Sequence, residues 1–186
     1  NPPERSRYEK SLMKSPPKFI MLIGPSGAGK SHYAGNSAVN RYHVEVDEIR
    51  KCQYDGFPDE AYTREALNTT HKTGQKIAAA LLAAGSDVIY DATNLRRKNR
   101  IQVLQAVGAM TSGRTFTRNV QVHYIIIDRP LADKLTSYEM DVSAGRADGH
   151  TNEAVINKHH TTFQATQKSA LNGDGYAEIA VWDQRV

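Results

Sequence analysis

The segment best suited to chemistry reads Gly-Pro-Ser-Gly-Ala-Gly-Lys-Ser and runs from Gly24 to Ser31. It fits the pattern G-x-x-x-x-G-K-[ST], in which backbone N–H groups curl around phosphate oxygens and the following helix adds its positive end. We expect Lys30 to reach the β- and γ-phosphates of ATP and the Ser31 hydroxyl to ligate Mg²⁺. The predicted ATP-binding residues are Gly24, Ser26, Gly27, Ala28, Gly29, Lys30 and Ser31.

This phosphate loop predicts that a nucleotide binds, but it does not say which reaction follows. The motifs of other nucleotide-using classes were therefore compared with the sequence. A switch GTPase carries D-x-x-G and N-K-x-D, whereas the candidate segments here read Asp-Ala-Thr-Asn from Asp91 and Asn-Lys-His-His from Asn157. A motor-type ATPase places Asp-Glu after a buried downstream strand, but Ala92 follows Asp91. These differences favour a small kinase.

Asp47 and Arg50 form the second candidate pair. In a compact kinase the second strand often ends beside the γ-phosphate, where a carboxylate can accept the proton of an incoming hydroxyl. Arg50 lies three residues later, so if Asp47 opens a helix the two side chains share a face and place a base beside an anion-binding guanidinium. The alternative is a helix-capping aspartate in a local ion pair.

Asp91 ends the third predicted strand, facing the phosphate loop. Carboxylates at that position commonly hold Mg²⁺ through water, which is the role predicted for Asp91. An Asx turn that caps the next helix would explain the same residue. One aspartate can both hold Mg²⁺ through water and form an Asx turn, so both interpretations of Asp91 stay open.

A basic span follows directly. Residues 92–127 contain six Lys or Arg and no Asp or Glu, so this span carries +6 and the rest of the chain −2 within a net charge of +4. Such a run is often a solvated helix face, but here it begins beside the predicted active site. Contact with phosphodiesters is therefore a competing prediction. The basic residues are Arg96, Arg97, Lys98, Arg100, Arg114 and Arg118.

The polar, small-residue-rich segment from Asp141 to His150 is predicted to be a lid between two helices. Arg146 at its centre is the candidate for neutralising charge on the transferred phosphoryl group. A loop arginine without a role is the alternative.

The elements that would position these residues alternate between short apolar runs and segments of helical period, which predicts an α/β fold with a mostly parallel five-stranded sheet. Glycines at 85 and 113 are placed to end helices, and Thr151 is placed to cap the last one. The predicted strands are residues 19–23, 44–46, 88–90, 120–127 and 179–182.

Length and composition indicate the number of domains and the cellular compartment. A chain of 186 residues with 39% apolar residues fits one domain, predicted at residues 18–186 after an N-terminal linker at residues 1–17. The single cysteine, Cys52, fits a reducing compartment, and no membrane segment is predicted. We expect a cytoplasmic protein, in the host cytoplasm if it is phage-encoded.

Together these residues resemble the kinase module of the polynucleotide 5′-kinase family of phage and bacterial end-healing enzymes. The similarity rests on the phosphate loop, the D-x-x-R of Asp47 to Arg50, the D-x-T-N of Asp91 to Asn94, and the D-x-P of Asp128 to Pro130. It covers residues 19 to about 163.

The resemblance implies a P-loop kinase, nucleoside-kinase-like, built as a three-layer sandwich with a helical lid, and transfer of the ATP γ-phosphate to a 5′-OH end of DNA or RNA. Lys30, Asp47 and Arg146 would be catalytic, with Asp47 the general base. Phosphatase or ligase domains could be fused or associated. The implied substrate-binding residues are Arg50, Asp91, Thr93, Asn94 and Arg97.

Two other functions stay open at this point. Similar short patterns occur in zeta-toxin-like kinases, which phosphorylate small molecules. An ATP-gated binding module, in which hydrolysis only changes affinity, is the third possibility. For acceptor binding, Tyr54, Phe57 and Tyr62 are candidates to stack on a terminal base.

Overall fold

A computed structural model describes residues 15–37, 40–146, 150–171, 174 and 178–183 of the chain. The strands are β1 (Lys18–Ile23), β2 (Tyr42–Glu45), β3 (Val88–Asp91), β4 (Gln121–Asp128) and β5 (Glu178–Asp183). The helices are α1 (Lys30–Ser37), α2 (Val46–Tyr54), α3 (Arg64–Ala83), α4 (Arg97–Ala106), α5 (Leu131–Ser143) and α6 (Glu153–Leu171), with a 3₁₀ helix at Asp59–Tyr62. Residues 1–14 of the predicted linker lie outside the described residues.

The strands pair in the order β2-β3-β1-β4-β5, and every pairing is parallel. Parallel strands end at one edge of a sheet, so residues that follow β1, β2 and β3 meet there. The predicted α/β architecture with a parallel sheet is confirmed.

Apolar packing covers both faces of the sheet. Alternate residues of β1 belong to different clusters: Phe19, Met21 and Ile23 to the larger one, Ile20 and Leu22 to the smaller. A strand buried on both faces reads as a continuous apolar run, which is why β1 was visible in the sequence. The result is a three-layer arrangement with the phosphate loop at the end of the central strand.

Two helix ends test the sequence reasoning. Gly85 has φ +83° and its N–H donates to the Leu82 carbonyl, so the predicted left-handed C-terminus of α3 is present. The predicted end at Gly113 is wrong, because α4 stops at Ala106 and Gly108 adopts φ +76°. Met110, whose spacing from Ile101, Leu104 and Val107 predicted a longer helix, instead pairs with Phe116 in an isolated antiparallel bridge, so its burial comes from packing outside the helix.

Three further boundaries also differ from the prediction. Val46 begins α2 rather than ending β2. Helix α5 extends to Ser143 and includes the first residues of the segment predicted as a lid loop, and residues 147–149 of that segment lie outside the described ones. Asn152, not Thr151, caps α6, because its Oδ1 accepts the Val155 N–H at 3.0 Å.

Candidate active site

A cleft of about 650 Å³ opens at the carboxyl edge of the sheet, beside the phosphate loop. Its walls come from the phosphate loop, β2 and α2, the end of β3, and the start of α6. Ligand sites in open α/β sheets occupy this edge. The predicted site residues that line it are Ser26, Gly27, Gly29, Lys30, Ser31, Asp47, Arg50, Asp91 and Thr93.

Glycines shape the phosphate loop for steric reasons. A Cβ at Gly24 would lie 2.1 Å from the carbonyl oxygen of Ile127, so no side chain fits where the loop leaves β1. Gly29 has φ +96°, a region that only glycine adopts without strain. The Gly24 N–H donates to the Thr93 carbonyl at 3.1 Å, which ties the loop to the segment after β3.

Lys30, the first residue of α1, lies within the loop that it closes. Its Nζ donates to the Pro25 carbonyl at 3.0 Å. Burial lowers the pKa of Lys30, and the carboxylates of Asp91 and Asp47 partly oppose that shift. A lysine held in this way is placed to exchange the Pro25 carbonyl for phosphate oxygens.

Replacing Lys30 by methionine should therefore lower kcat for phosphoryl transfer by about 10²- to 10³-fold, the range for removal of one electrostatic contact to the transferred group. Lys51→Met is the matched control, since Lys51 is exposed on α2 and pairs only with Glu48 at 3.8 Å among the described ion pairs. Steady-state assays at saturating ATP measure both. Equal activity of the two variants would remove Lys30 from the mechanism.

Ser31 connects the phosphate loop to the ends of two strands. Its hydroxyl lies 2.8 Å from Asp91 Oδ2 and 3.1 Å from Glu45 Oε1, and the His43 imidazole lies 3.1 Å from the same Asp91 oxygen. Burial would raise the pKa of Asp91, but the hydrogen bond from His43 and the charge of Lys30 hold it below its usual range. Hydroxyl and carboxylate oxygens are the donors that Mg²⁺ prefers, so Ser31, Asp91 and Glu45 fit this ion.

Asp47 and Arg50 lie together at the start of α2, as the spacing predicted. Asp47 is in the first turn and two-thirds exposed, and its carboxylate accepts a hydrogen bond from Arg50. Arg50 is 8% exposed, and its buried Nε has no hydrogen-bond partner in the described part of the chain. A buried guanidinium with an unused donor in a cleft is suited to an anionic ligand.

Aromatic rings extend this side of the cleft. The Arg50 guanidinium lies 5.1 Å from the centroid of Tyr62, and the Tyr62 ring stacks on His150. Of the three aromatic residues predicted to meet an acceptor base, only Tyr62 lines the cleft. The ring centroids of Phe57 and Tyr62 lie 6.4 Å apart, so Phe57 packs beside the Tyr62 ring.

Asn94 is a correction to the predicted substrate contacts. It is 6% exposed with φ +47°, and its amide donates to the carbonyls of Leu22 and Ala92. Asparagine tolerates the left-handed conformation, so Asn94 holds the turn after β3 against β1. Its role is structural, and it does not line the cleft.

The basic span is the second correction. Arg100 is fully buried, and Asp174 accepts its Nε at 2.9 Å. Arg97 is half-exposed, does not line the cleft and donates to the same carboxylate at 3.0 Å. The Asp174 carboxylate thus binds two of the arginines that were candidates for contact with phosphodiesters. The other four basic side chains are exposed: Arg96, Lys98, Arg114 and Arg118.

Arg146 is the third correction. Its guanidinium donates to Asp141 through Nε at 3.1 Å and Nη2 at 2.9 Å, on the exposed end of α5. It does not line the cleft, because α5 extends into the predicted lid and the ion pair ties Arg146 to that helix. The structure therefore does not bring Arg146 to Lys30 and Asp47.

Sequence reasoning missed three groups around the phosphate loop. His159 lies 2.8 Å from the Ser26 hydroxyl, and burial together with the charge of Lys30 lowers its pKa. Arg129 donates to the Gly27 carbonyl at 2.6 Å and lines the cleft. The buried Lys134 packs beside Gly27 and contacts Asp128 and His160. Only the D-x-P motif hinted at Arg129; the histidines carry no local signal.

Comparison with known families identifies the chain. Residues 19–132, more than half of it, match the model of the AAA_33 family, described as an AAA domain. The chain belongs to the AAA_33 family. This match spans β1, the phosphate loop, Asp47, Arg50 and Asp91, so these residues belong to a P-loop kinase-like phosphotransferase domain. Among curated proteins, no match was found by sequence.

Solved structures share the fold of this AAA_33 domain. A chain of the Pnkp1/Rnl/Hen1 RNA repair complex is 21% identical with a TM-score of 0.66, over 86% of this chain and 48% of that one. A sugar kinase from Janibacter sp. HTCC2649 is 18% identical with a TM-score of 0.53, over 92% and 87%. Shikimate kinase from Acinetobacter baumannii is 12% identical with a TM-score of 0.52, over 89% and 84%.

The chain therefore spans about half the length of the RNA repair chain that it resembles. These likenesses show a P-loop kinase fold with a parallel sheet. None of the helices in the described part of the chain combines the length and apolar character needed to cross a membrane.

Proposed function

We propose that this domain transfers the γ-phosphate of ATP to the 5′-hydroxyl end of a polynucleotide, in the presence of Mg²⁺. The observation that carries the proposal is the Asp47 and Arg50 pair at the start of α2. Asp47 offers an exposed carboxylate in the cleft, and three residues later Arg50 offers a buried guanidinium whose Nε has no hydrogen-bond partner among the described residues. A 5′-terminal nucleotide presents the matching groups, a hydroxyl and a phosphodiester.

Lys30, Asp47 and Arg50 have different roles in the proposed reaction. Lys30 and the loop N–H groups hold the β- and γ-phosphates in line with the acceptor. Asp47 accepts the proton of the 5′-hydroxyl while the hydroxyl oxygen attacks the γ-phosphorus. The bond between the γ-phosphorus and the β-phosphate oxygen breaks, and ADP is the leaving group. Ser31 and Asp91 would hold Mg²⁺, which would supply positive charge to the phosphate oxygens. Arg50 holds the phosphate 3′ of the terminal nucleoside and so orients the hydroxyl toward Asp47.

Two features favour a polynucleotide over a smaller acceptor. Tyr62 lies next to Arg50, lines the cleft and stacks on His150, so a terminal base would join this aromatic stack beside the anion site. Exposed basic residues, Arg96 and Lys98 among them, follow the strand end of Asp91 without any acidic residue before Asp128. These charges would attract a chain of phosphates rather than one.

A small-molecule kinase is the second candidate, because the same fold occurs in a sugar kinase and in shikimate kinase. An arginine beside a general base also binds a carboxylate or a sugar phosphate. The two functions differ in what Arg50 contacts. On the polynucleotide proposal its ligand is the 3′-phosphate of the terminal nucleotide.

A series of acceptors tests this assignment. Phosphorylation of a nucleoside, the same nucleoside 3′-monophosphate and a 5′-OH oligonucleotide should rise in kcat/KM in that order. Arg50→Ala should lower kcat/KM by about 10- to 100-fold for the two phosphate-bearing acceptors and leave the nucleoside nearly unchanged, since a hydrogen bond to a charged group contributes about 1.5–3 kcal/mol.

Arg64→Ala, at the exposed start of α3, is the control and should behave as wild type. An equal loss on all three acceptors would show that Arg50 supports the fold rather than the 3′-phosphate. Turnover of a sugar or other metabolite with no transfer to any oligonucleotide would favour the small-molecule kinase.

Partners form the last part of the proposal. The RNA repair chain with the same fold is a component of the Pnkp1/Rnl/Hen1 complex. We propose that this domain likewise works in association with, or fused to, other end-processing domains such as a phosphatase or a ligase.

A further inference from the structure

His43 is a nitrogen donor beside the oxygen donors that fit Mg²⁺, and it has no role assigned above. His43, Glu45 and Asp91 each offer one ligand atom, and these atoms lie within 4.8 Å of one another. Ser31, Glu45 and Asp91 line the cleft, whereas His43 does not. His43 therefore adds a nitrogen donor to these oxygen ligands from just outside the cleft.

The sheet register brings this cluster together. Glu45 of β2 pairs in register with Asp91 of β3, so their side chains leave the same face of the sheet side by side. His43 lies two residues before Glu45 and shares that face. The register partner of His43, Ile89, belongs to the apolar cluster that includes Ala34 of α1, the helix that carries Ser31. One histidine, two carboxylates and a hydroxyl thus meet between β2, β3 and α1.

The separations suit a bound divalent ion. A metal with ligands at about 2.0–2.2 Å places neighbouring donor atoms roughly 3–3.5 Å apart. The observed separations are 2.8 Å and 3.1 Å from Ser31 Oγ to Asp91 and Glu45, and 3.1 Å and 3.9 Å from His43 Nε2 to the same two residues. Small shifts of the partly exposed Glu45 side chain would complete the geometry.

The Glu45 carboxylate is also available to bind a metal ion, because it does not cap the helix that follows it. Glu45 occupies the N-cap position of α2, yet its side chain makes no capping hydrogen bond and lies beside Ser31 instead. The Ser31 hydroxyl has one proton and cannot satisfy both carboxylates at once.

From this arrangement we infer that His43, Glu45 and Asp91, with Ser31, form a metal site that binds transition-metal ions such as Co²⁺ before any nucleotide is present. Imidazole is a ligand of the later first-row metals, whereas Mg²⁺ prefers oxygen donors and usually relies on substrate phosphates. The inference rests on the phosphate-loop role of Ser31 but not on the identity of the acceptor. Its failure would leave the proposed phosphotransfer intact.

Titration of nucleotide-free, tag-free protein with Co²⁺ tests the site, with visible absorption reporting ligation and equilibrium dialysis giving Kd. We expect one equivalent to bind, with an absorption spectrum that differs from that of aqueous Co²⁺, and equimolar Mg²⁺ not to displace it. His43→Gln should raise the Kd for Co²⁺ by about 10- to 100-fold or more. Mutation of a residue that only hydrogen-bonds to a metal ligand already weakens metal binding by about that factor.

His32→Gln is the matched control, because His32 is an exposed neighbour of Ser31 that contacts Asn36. Thermal unfolding checks that each variant is folded, and Glu45→Gln, which removes a different ligand, should weaken Co²⁺ binding as well. If Co²⁺ does not bind without nucleotide, or if His43→Gln and Glu45→Gln both bind as wild type does, the inference is wrong. His43 would then only position Asp91.

Discussion

Replacing Asp47 by asparagine should lower kcat for transfer to a 5′-OH oligonucleotide by about 10²- to 10⁴-fold, the usual contribution of a general base. The amide keeps the size of the carboxylate but cannot accept the hydroxyl proton. The Asp47 side chain is largely exposed at the start of α2, and the asparagine oxygen can still accept the hydrogen bond from Arg50, so we expect the fold to be retained. ATP affinity should stay within a factor of about two, because the phosphate loop is unaltered.

Glu48→Gln is the control for Asp47→Asn. Glu48 is the next residue, similarly exposed, and pairs with Lys51 at 3.8 Å. Steady-state kinetics and fluorescent-ATP binding measure the two effects separately. A variant at Asp47 with wild-type kcat would mean that another group, or solvent, takes the proton.

Arg100→Met should have the largest effect on stability. Its guanidinium is completely buried between Asp174, the Asn94 and Leu95 carbonyls and the ring of Tyr124. Removing Arg100 leaves the buried Asp174 carboxylate with the half-exposed Arg97 as its ion-pair partner among the described residues, so we expect a loss of about 3–5 kcal/mol in the free energy of unfolding. Equilibrium denaturation in urea measures this loss.

Arg97→Met is the matched variant, because Arg97 contacts the same carboxylate from a half-exposed position. A pair that is partly open to water contributes about 0–1 kcal/mol. Near-equal losses for Arg97 and Arg100 would contradict the burial argument. A fully stable Arg100→Met that binds oligonucleotide less tightly would instead restore the sequence-based prediction that this arginine contacts the acceptor.

Local patterns were enough to predict much of the molecule. The phosphate loop follows a continuous apolar strand, and its glycines are required by the contact at Ile127 and by positive φ. The i, i+3 spacing of Asp47 and Arg50 predicted their shared face, because both fall in one helical turn. Such features depend on residues close in sequence, so the sequence shows them.

Long-range partners could not be predicted in the same way. Asp174 lies 74 residues after Arg100, and nothing near Arg100 indicates that its charge is neutralised inside the protein. The Arg146 pair with Asp141 depends on how far α5 extends, and helix ends are weakly encoded. His43 and His159 join the site only through strand register and the packing of α6, which single residues do not report.

The most direct test of the proposed activity is transfer of the labelled γ-phosphate of ATP to a 5′-OH oligonucleotide, with a 5′-phosphorylated copy of the same strand as control. We expect Mg²⁺-dependent label on the 5′-terminal nucleotide of the 5′-OH strand and none on the control strand. Label that appears only as inorganic phosphate, or on a small metabolite, would contradict it.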